Sequence, residues 1–155
     1  MDSGSTVDLD RVIEHYHRGI GIFMTGDHEP ASRVLSRRGD VSLGNPFGPW
    51  VRGLPEVIAA MSRAAAQFRD GRALGFDRIS EWVAADLASI VELERLESRV
   101  GGRPDVSPVN LRATSVFRRE EDGWWLVHRH VDTTAAASTV EAVVSALLAS
   151  GASAP

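Results

Sequence analysis

Between Gly123 and Thr133 the chain reads GWWLVHRHVDT, and His128, His130 and Asp132 fall at alternate positions within it. Alternate residues of a β-strand share a face, so this spacing sets two imidazoles and a carboxylate side by side with Trp124 and Leu126. Trp125, Val127, Arg129 and Val131 are then expected on the opposite face. Such a trio can do acid/base work, because imidazole titrates near neutral pH and an adjacent carboxylate holds one tautomer. It can equally chelate a metal or form a satisfied buried network. Alternate spacing is common in strands, so metal ligation is the weaker reading, and no metal or other cofactor is expected. His130 and Asp132 are the expected catalytic pair, with His128 touching the substrate.

A second set comes from the preceding strands. Over 87 to 99, Ile90, Glu92, Glu94 and Leu96 share a face, which sets two carboxylates in an apolar surround. Burial disfavours the charged form, so Glu94 there would titrate toward neutrality and is the third catalytic candidate. Arg112 shares a face with Asn110, Thr114 and Val116. It can clamp an anion, or pair with Glu94 if the two turn the same way. Tyr16, Phe47, Trp50 and Met61 are the remaining candidate substrate contacts, at a cavity mouth.

These residues need elements to hold them. A helix is expected from about Asp8 or Asp10, with Ile13, Tyr16, Ile20 and Phe23 on one face. Gly26 and Asp27 break it, and Glu29 to Ser36 reads as a second helix with Pro30 in its first turn. Asp40 to Leu43 is a short strand, followed by a loop that carries Phe47 and Trp50 and is rich in glycine and proline. Pro55 opens a third helix, with Val57, Met61, Ala64 and Phe68 at helical spacing up to Asp70 and Gly71. Four strands follow, over about 73 to 83, 87 to 99, 108 to 119 and 124 to 133. Ser138 and Glu141 make a capping-box pattern for a last helix over 138 to 150, whose stripe of Val140, Val143, Val144, Leu147 and Leu148 needs a cover.

Composition bounds the alternatives. With 155 residues, 43% of them hydrophobic, the chain builds one globular core. It has no cysteine, which removes thiolate chemistry. All 17 basic residues are arginine, which removes lysine Schiff bases. The net charge of −4, with both signs interspersed and no long basic run, points away from nucleic acid. No apolar stretch is long enough to span a bilayer, and the polar N-terminus is unlike a secretory leader, so no membrane partner and a cytoplasmic location are expected.

The run LRATSVFRREEDGWWLVHRHVD from Leu111 to Asp132 resembles the last hairpin of SnoaL-like proteins in the nuclear transport factor 2 superfamily, which includes ketosteroid isomerase. Upstream matches keep the same order: Gly26-Asp27 with Pro30, Asp40-Val41, Gly48, Gly53 with Val57, Leu87-Ala88, Glu94-Arg95 and Arg103. The resemblance implies an α+β, cone-shaped, cystatin-like fold over 8–133, its N-terminal helices packed on a curved antiparallel sheet. Residues 1–7 are left as a disordered tail and 134–155 as a C-terminal helix and tail. It also implies a small-molecule cavity, with functions that range over isomerases, cyclases, dehydratases and non-catalytic assembly domains. Tyr16 is only a weak positional match to the isomerase, whose catalytic motifs are not evident.

The expected function is therefore cofactor-independent acid/base chemistry of isomerase, cyclase or dehydratase type on a carbonyl-containing or polycyclic metabolite. A non-catalytic ligand-binding or dimeric assembly module is the alternative. Val91, Leu93, Val127 and Val131 suggest a homodimer through the outer face of the sheet.

Overall fold

In the computed structural model the described residues are 3–134 and 139–151, with side chains described from residue 8. Helix α1, Ser3–Phe23, starts five residues before the expected Asp8. Its buried stripe is Leu9, Ile13, Tyr16 and Ile20, continued by buried Met24 just past its end, while Phe23 is only half-buried. Helix α2 is a single turn, Glu29–Ser32, shorter than expected. The chain after it leaves the helical path so that Leu35 can bridge to Leu126. Strand β1, Ser42–Gly44, pairs with β2, Val51–Arg52, which closes the expected loop into a small antiparallel ribbon.

Helix α3, Leu54–Ala65, buries Val57, Met61 and Ala64 as expected. It stops short of Phe68, which opens strand β3, Phe68–Val83. Strands β4, Leu87–Val100, β5, Val106–Glu120, and β6, Gly123–Thr133, complete one six-stranded sheet in the order β2-β1-β6-β5-β4-β3. Every neighbouring pair is antiparallel except β1 with β6. Helices on one face of a mostly antiparallel sheet make an α+β, cystatin-like architecture.

Helix α4, Val140–Gly151, carries the expected apolar stripe, and none of its side chains is buried. Thr139 caps it, accepting from the Ala142 N–H at 3.2 Å; Ser138, the expected cap, lies outside the described residues.

One irregularity decides which side chains face the helices. Val116 pairs with His128, but the next residue, Phe117, pairs with Leu126, so Val127 has no counterpart on β5. Such a bulge inserts one residue into a period of two and exchanges the faces on either side of it. Trp124 and Leu126 point inward on one side of Val127, and Arg129 and Val131 point inward on the other; all four are buried. His128, His130 and Asp132 do share a face, as expected, but it is the outer one, opposite Trp124 and Leu126. Arg129 and Val131, expected outside, are inside.

Candidate functional site

Strand β4 delivers the inner carboxylates by unbroken alternation. Ala88, Ile90, Glu92, Glu94, Leu96 and Ser98 are all buried, and Glu94 is 0% exposed. A buried carboxylate needs hydrogen-bond donors and a countercharge, and three elements supply them to Glu94. Arg129 of β6 donates from Nη1 to Oε1 at 2.5 Å and from Nη2 to Oε2 at 2.8 Å. Tyr16 of α1 donates its hydroxyl to Oε1 at 2.9 Å. The same hydroxyl accepts from Ser115 Oγ of β5 at 2.9 Å and from Arg129 Nη1.

Burial, reinforced by the nearby Glu92 carboxylate, pushes the Glu94 carboxyl well above the usual range. Burial likewise brings Arg129 down to about 9. The bidentate contact opposes both shifts, since each ion is the main solvation of the other. Glu92 has a separate retinue. His17 Nε2 lies 2.8 Å from its Oε2, and Arg78 Nε donates to its Oε1 at 3.0 Å. Burial opposes the ionisation of Glu92, but the His17 and Arg78 contacts together outweigh it and hold its carboxyl below the usual range. The His17 ring also stacks on Phe76, with centroids 3.9 Å apart.

Beside the Glu94 cluster lies a cavity of about 270 Å³, enclosed by apolar side chains of α1, α3 and the inner sheet face, Phe23, Met61, Leu96 and Leu111 among them. Among the described residues lining it, Arg129 is the only ionisable one, with Asn45 and Thr133 the other polar side chains. Guanidinium has five N–H donors, and three are used by Tyr16 and Glu94. What remains can serve a ligand atom in the cavity.

The expected site residues divide between the two faces of the sheet. Glu94, Tyr16 and Met61 are inside, Met61 on the cavity wall and Tyr16 in the Glu94 network. Phe47 lines the cavity mouth edge-on to Phe68, at 5.9 Å between centroids, although it is 51% exposed. His128, His130, Asp132, Arg112 and Trp50 are outside. Arg112 therefore cannot pair with Glu94; its register partner is Leu93, and its guanidinium meets Asp132 at 2.9 Å and 3.0 Å. That contact, ahead of a smaller opposing effect of burial, lowers the Asp132 carboxyl, whose hydrogen bonds come from Arg112 while His130 adds only a smaller charge effect. His128 Nδ1 lies 2.8 Å from Ser42 Oγ, and Trp50 covers both imidazoles, tilted against His130 at 4.9 Å. Gly44 permits this, because a Cβ there would come within 2.5 Å of the indole. Burial, and then the charge of His130, lower His128. His130, Asp132 and Trp50 border a separate outer cleft of about 120 Å³.

Arg129 and His17 were not singled out from sequence. The need for a cation beside Glu94 was legible; its source was not, because strict alternation puts Arg129 on the wrong face.

The model of the SnoaL-like domain matches residues 11–135. The chain belongs to that family. No curated protein matches it. Among solved structures, a nuclear transport factor 2-like superfamily protein from Salmonella enterica serovar Typhimurium is similar at a TM-score of 0.73 and 17% identity, covering 90% of this chain and 99% of that one. A candidate dehydratase of the same superfamily from Streptomyces avermitilis gives 0.71 and 21% identity, over 88% and 100%. A ketosteroid isomerase-like protein from Erwinia carotovora atroseptica gives 0.69 and 14%, over 88% and 100%. At these identities the likenesses show the fold. Among the described residues, no helix is long and apolar enough to cross a membrane.

Proposed function

We propose that this SnoaL-like domain binds a small, mostly apolar organic molecule in the cavity and holds one of its oxygens with Arg129. The observation that carries this reading is the contrast within the cavity wall: one buried guanidinium with donors to spare, set among apolar side chains. Small-molecule sites are commonly apolar hollows with a few placed polar groups, and about 270 Å³ is near the lower end of their size range. The test is calorimetric titration with bicyclic ketones. Binding by the wild type that Arg129→Leu abolishes, with Arg112→Ala unaffected, is the expected outcome; equal binding by Arg129→Leu would falsify the reading.

Acid/base catalysis of the isomerase, cyclase or dehydratase type is the second reading, and one feature favours it. Arg129 shares the Tyr16 hydroxyl with Glu94, a carboxyl whose proton affinity is raised by burial. When Glu94 takes up a proton, the charge of Arg129 is left free to balance negative charge growing on a bound carbonyl oxygen. Glu94 acts here as a positioning residue, because it does not reach the cavity. The descriptions of relatives as a candidate dehydratase and as ketosteroid isomerase-like agree with this type of chemistry. The outer pair His130 and Asp132 would serve only a substrate in the outer cleft.

A homodimer through the outer sheet face belongs to the same proposal. Half-buried Val91, Leu93, Val116 and Val127 lie on that face, with Trp82 62% exposed at its edge. Val131, expected among them, is inside. Sedimentation at micromolar concentration is expected to give a dimer, and Trp82→Glu a monomer.

A further inference from the structure

We infer that Glu94 is the specificity determinant of the cavity: by holding the charge of Arg129, it makes the cavity take an uncharged acceptor oxygen and refuse carboxylates and phosphates. The inference rests on the ligand-binding reading above and concerns which ligands that cavity accepts.

The charges around Glu94 leave nothing over for an anionic ligand. Arg129 is 8% exposed and engages both carboxylate oxygens of Glu94, which is 0% exposed. The other inner carboxylate, Glu92, is matched by Arg78 of β3 and His17 of α1 and so draws nothing from Arg129. Tyr16 and Ser115, the remaining polar neighbours, are neutral. Arg129, a wall residue paired with Glu94, therefore offers its remaining N–H donors to a cavity ligand without net positive charge. A ketone, ester or amide oxygen can accept from those groups at no electrostatic cost. A carboxylate would put a second anion beside a buried one, in a wall whose other side chains are almost all apolar, and an uncompensated buried ion is strongly unfavourable.

The same geometry states how the selectivity is undone. Removing the charge of Glu94, by substitution or by a proton, turns the anchor into a net cation. The groups around Glu94 are Tyr16 from α1, Ser115 from β5, Arg129 from β6 and Glu92 beside it on β4, with His17 from α1 and Arg78 from β3 held on Glu92.

A near-isosteric pair tests this: 2-acetylnaphthalene and 2-naphthoate, titrated calorimetrically into the full chain. At about pH 8 the ketone is expected to bind at least about 30-fold more tightly than the naphthoate, a modest share of the cost of an unpaired buried charge. Glu94→Gln, which removes the charge and keeps one oxygen to accept from Arg129 Nη1 and the Tyr16 hydroxyl while giving up the bond from Nη2, is expected to reverse the order. Should that variant not fold, the wild type carries the test: between about pH 8 and pH 5.5 naphthoate binding should strengthen with uptake of a proton, while ketone binding stays level. Equal affinities at pH 8, or naphthoate binding without proton uptake, overturn the inference and leave the cavity reading standing. If neither compound binds, the cavity reading itself is overturned.

Discussion

The two faces of the one sheet carry the same chemical types, arginine with carboxylate and an aromatic nearby, in opposite physical states. On the inner face Arg129 and Glu94 are buried, doubly hydrogen-bonded and linked to Tyr16 and Ser115. On the outer face Arg112 and Asp132 make the same bidentate contact with both side chains exposed. Water screens the outer pair, so it adds little to stability or affinity. The inner pair has only itself, so each member depends on the other. Contact geometry alone does not separate the two; burial does.

Inserting one residue between Val116 and Phe117, as a counterpart to Val127, removes the mismatch behind the difference and should have the largest effect. Without the bulge, Arg129 and Val131 would turn outward and the imidazoles inward. Loss of cooperative unfolding, or destabilisation of about 5 kcal/mol or more in urea, is expected. A well-folded insertion variant would mean that the sheet tolerates either register.

Arg129→Leu leaves Glu94 and the Tyr16 hydroxyl buried without their cation, and about 3–5 kcal/mol should be lost. The matching outer change, Arg112→Ala, should cost under about 1 kcal/mol. Comparable losses by denaturant titration would erase the distinction between the faces.

The pH dependence should differ in sign between the two carboxyls. Glu94 has a raised value in the folded state, so the fold binds its proton more tightly than the unfolded chain does. Its contribution therefore declines as pH rises from the ordinary carboxylate range toward that raised value. Asp132 is lowered by Arg112, so its contribution is present above the ordinary value and fades as pH falls through the folded one. Thermal melts across pH, with wild type measured against Glu94→Gln and Asp132→Asn, read the two slopes; only the first should be large.

The smallest effect is expected at His130→Gln: stability within about 0.5 kcal/mol, as for surface positions generally, and affinity for a cavity ligand changed less than 2-fold. A tenfold loss of affinity would restore the outer imidazoles to the binding site.

Much of this protein was written in local sequence. The period of two over Ile90, Glu92, Glu94 and Leu96 determined that two carboxylates enter one apolar layer, and the hairpin from Leu111 to Asp132 carried the family likeness. The helix stripe through Ile13, Tyr16 and Ile20 came from spacing alone, as did the order of the elements apart from the short strand β2. All these features depend on neighbours along the chain, and side-chain periodicity records them directly. The partner of Glu94 could not be read this way. A bulge is a mismatch of one residue between two strands, set by how Phe117 and Leu126 pack against the helices while Gly44 and Ser42 pair with the far side of β6. No periodicity within β6 records that mismatch, and it decides whether an arginine or two histidines meet the cavity. Local pattern supplied the buried charge; the alignment of β6 with β1 and β5 decided what would neutralise it.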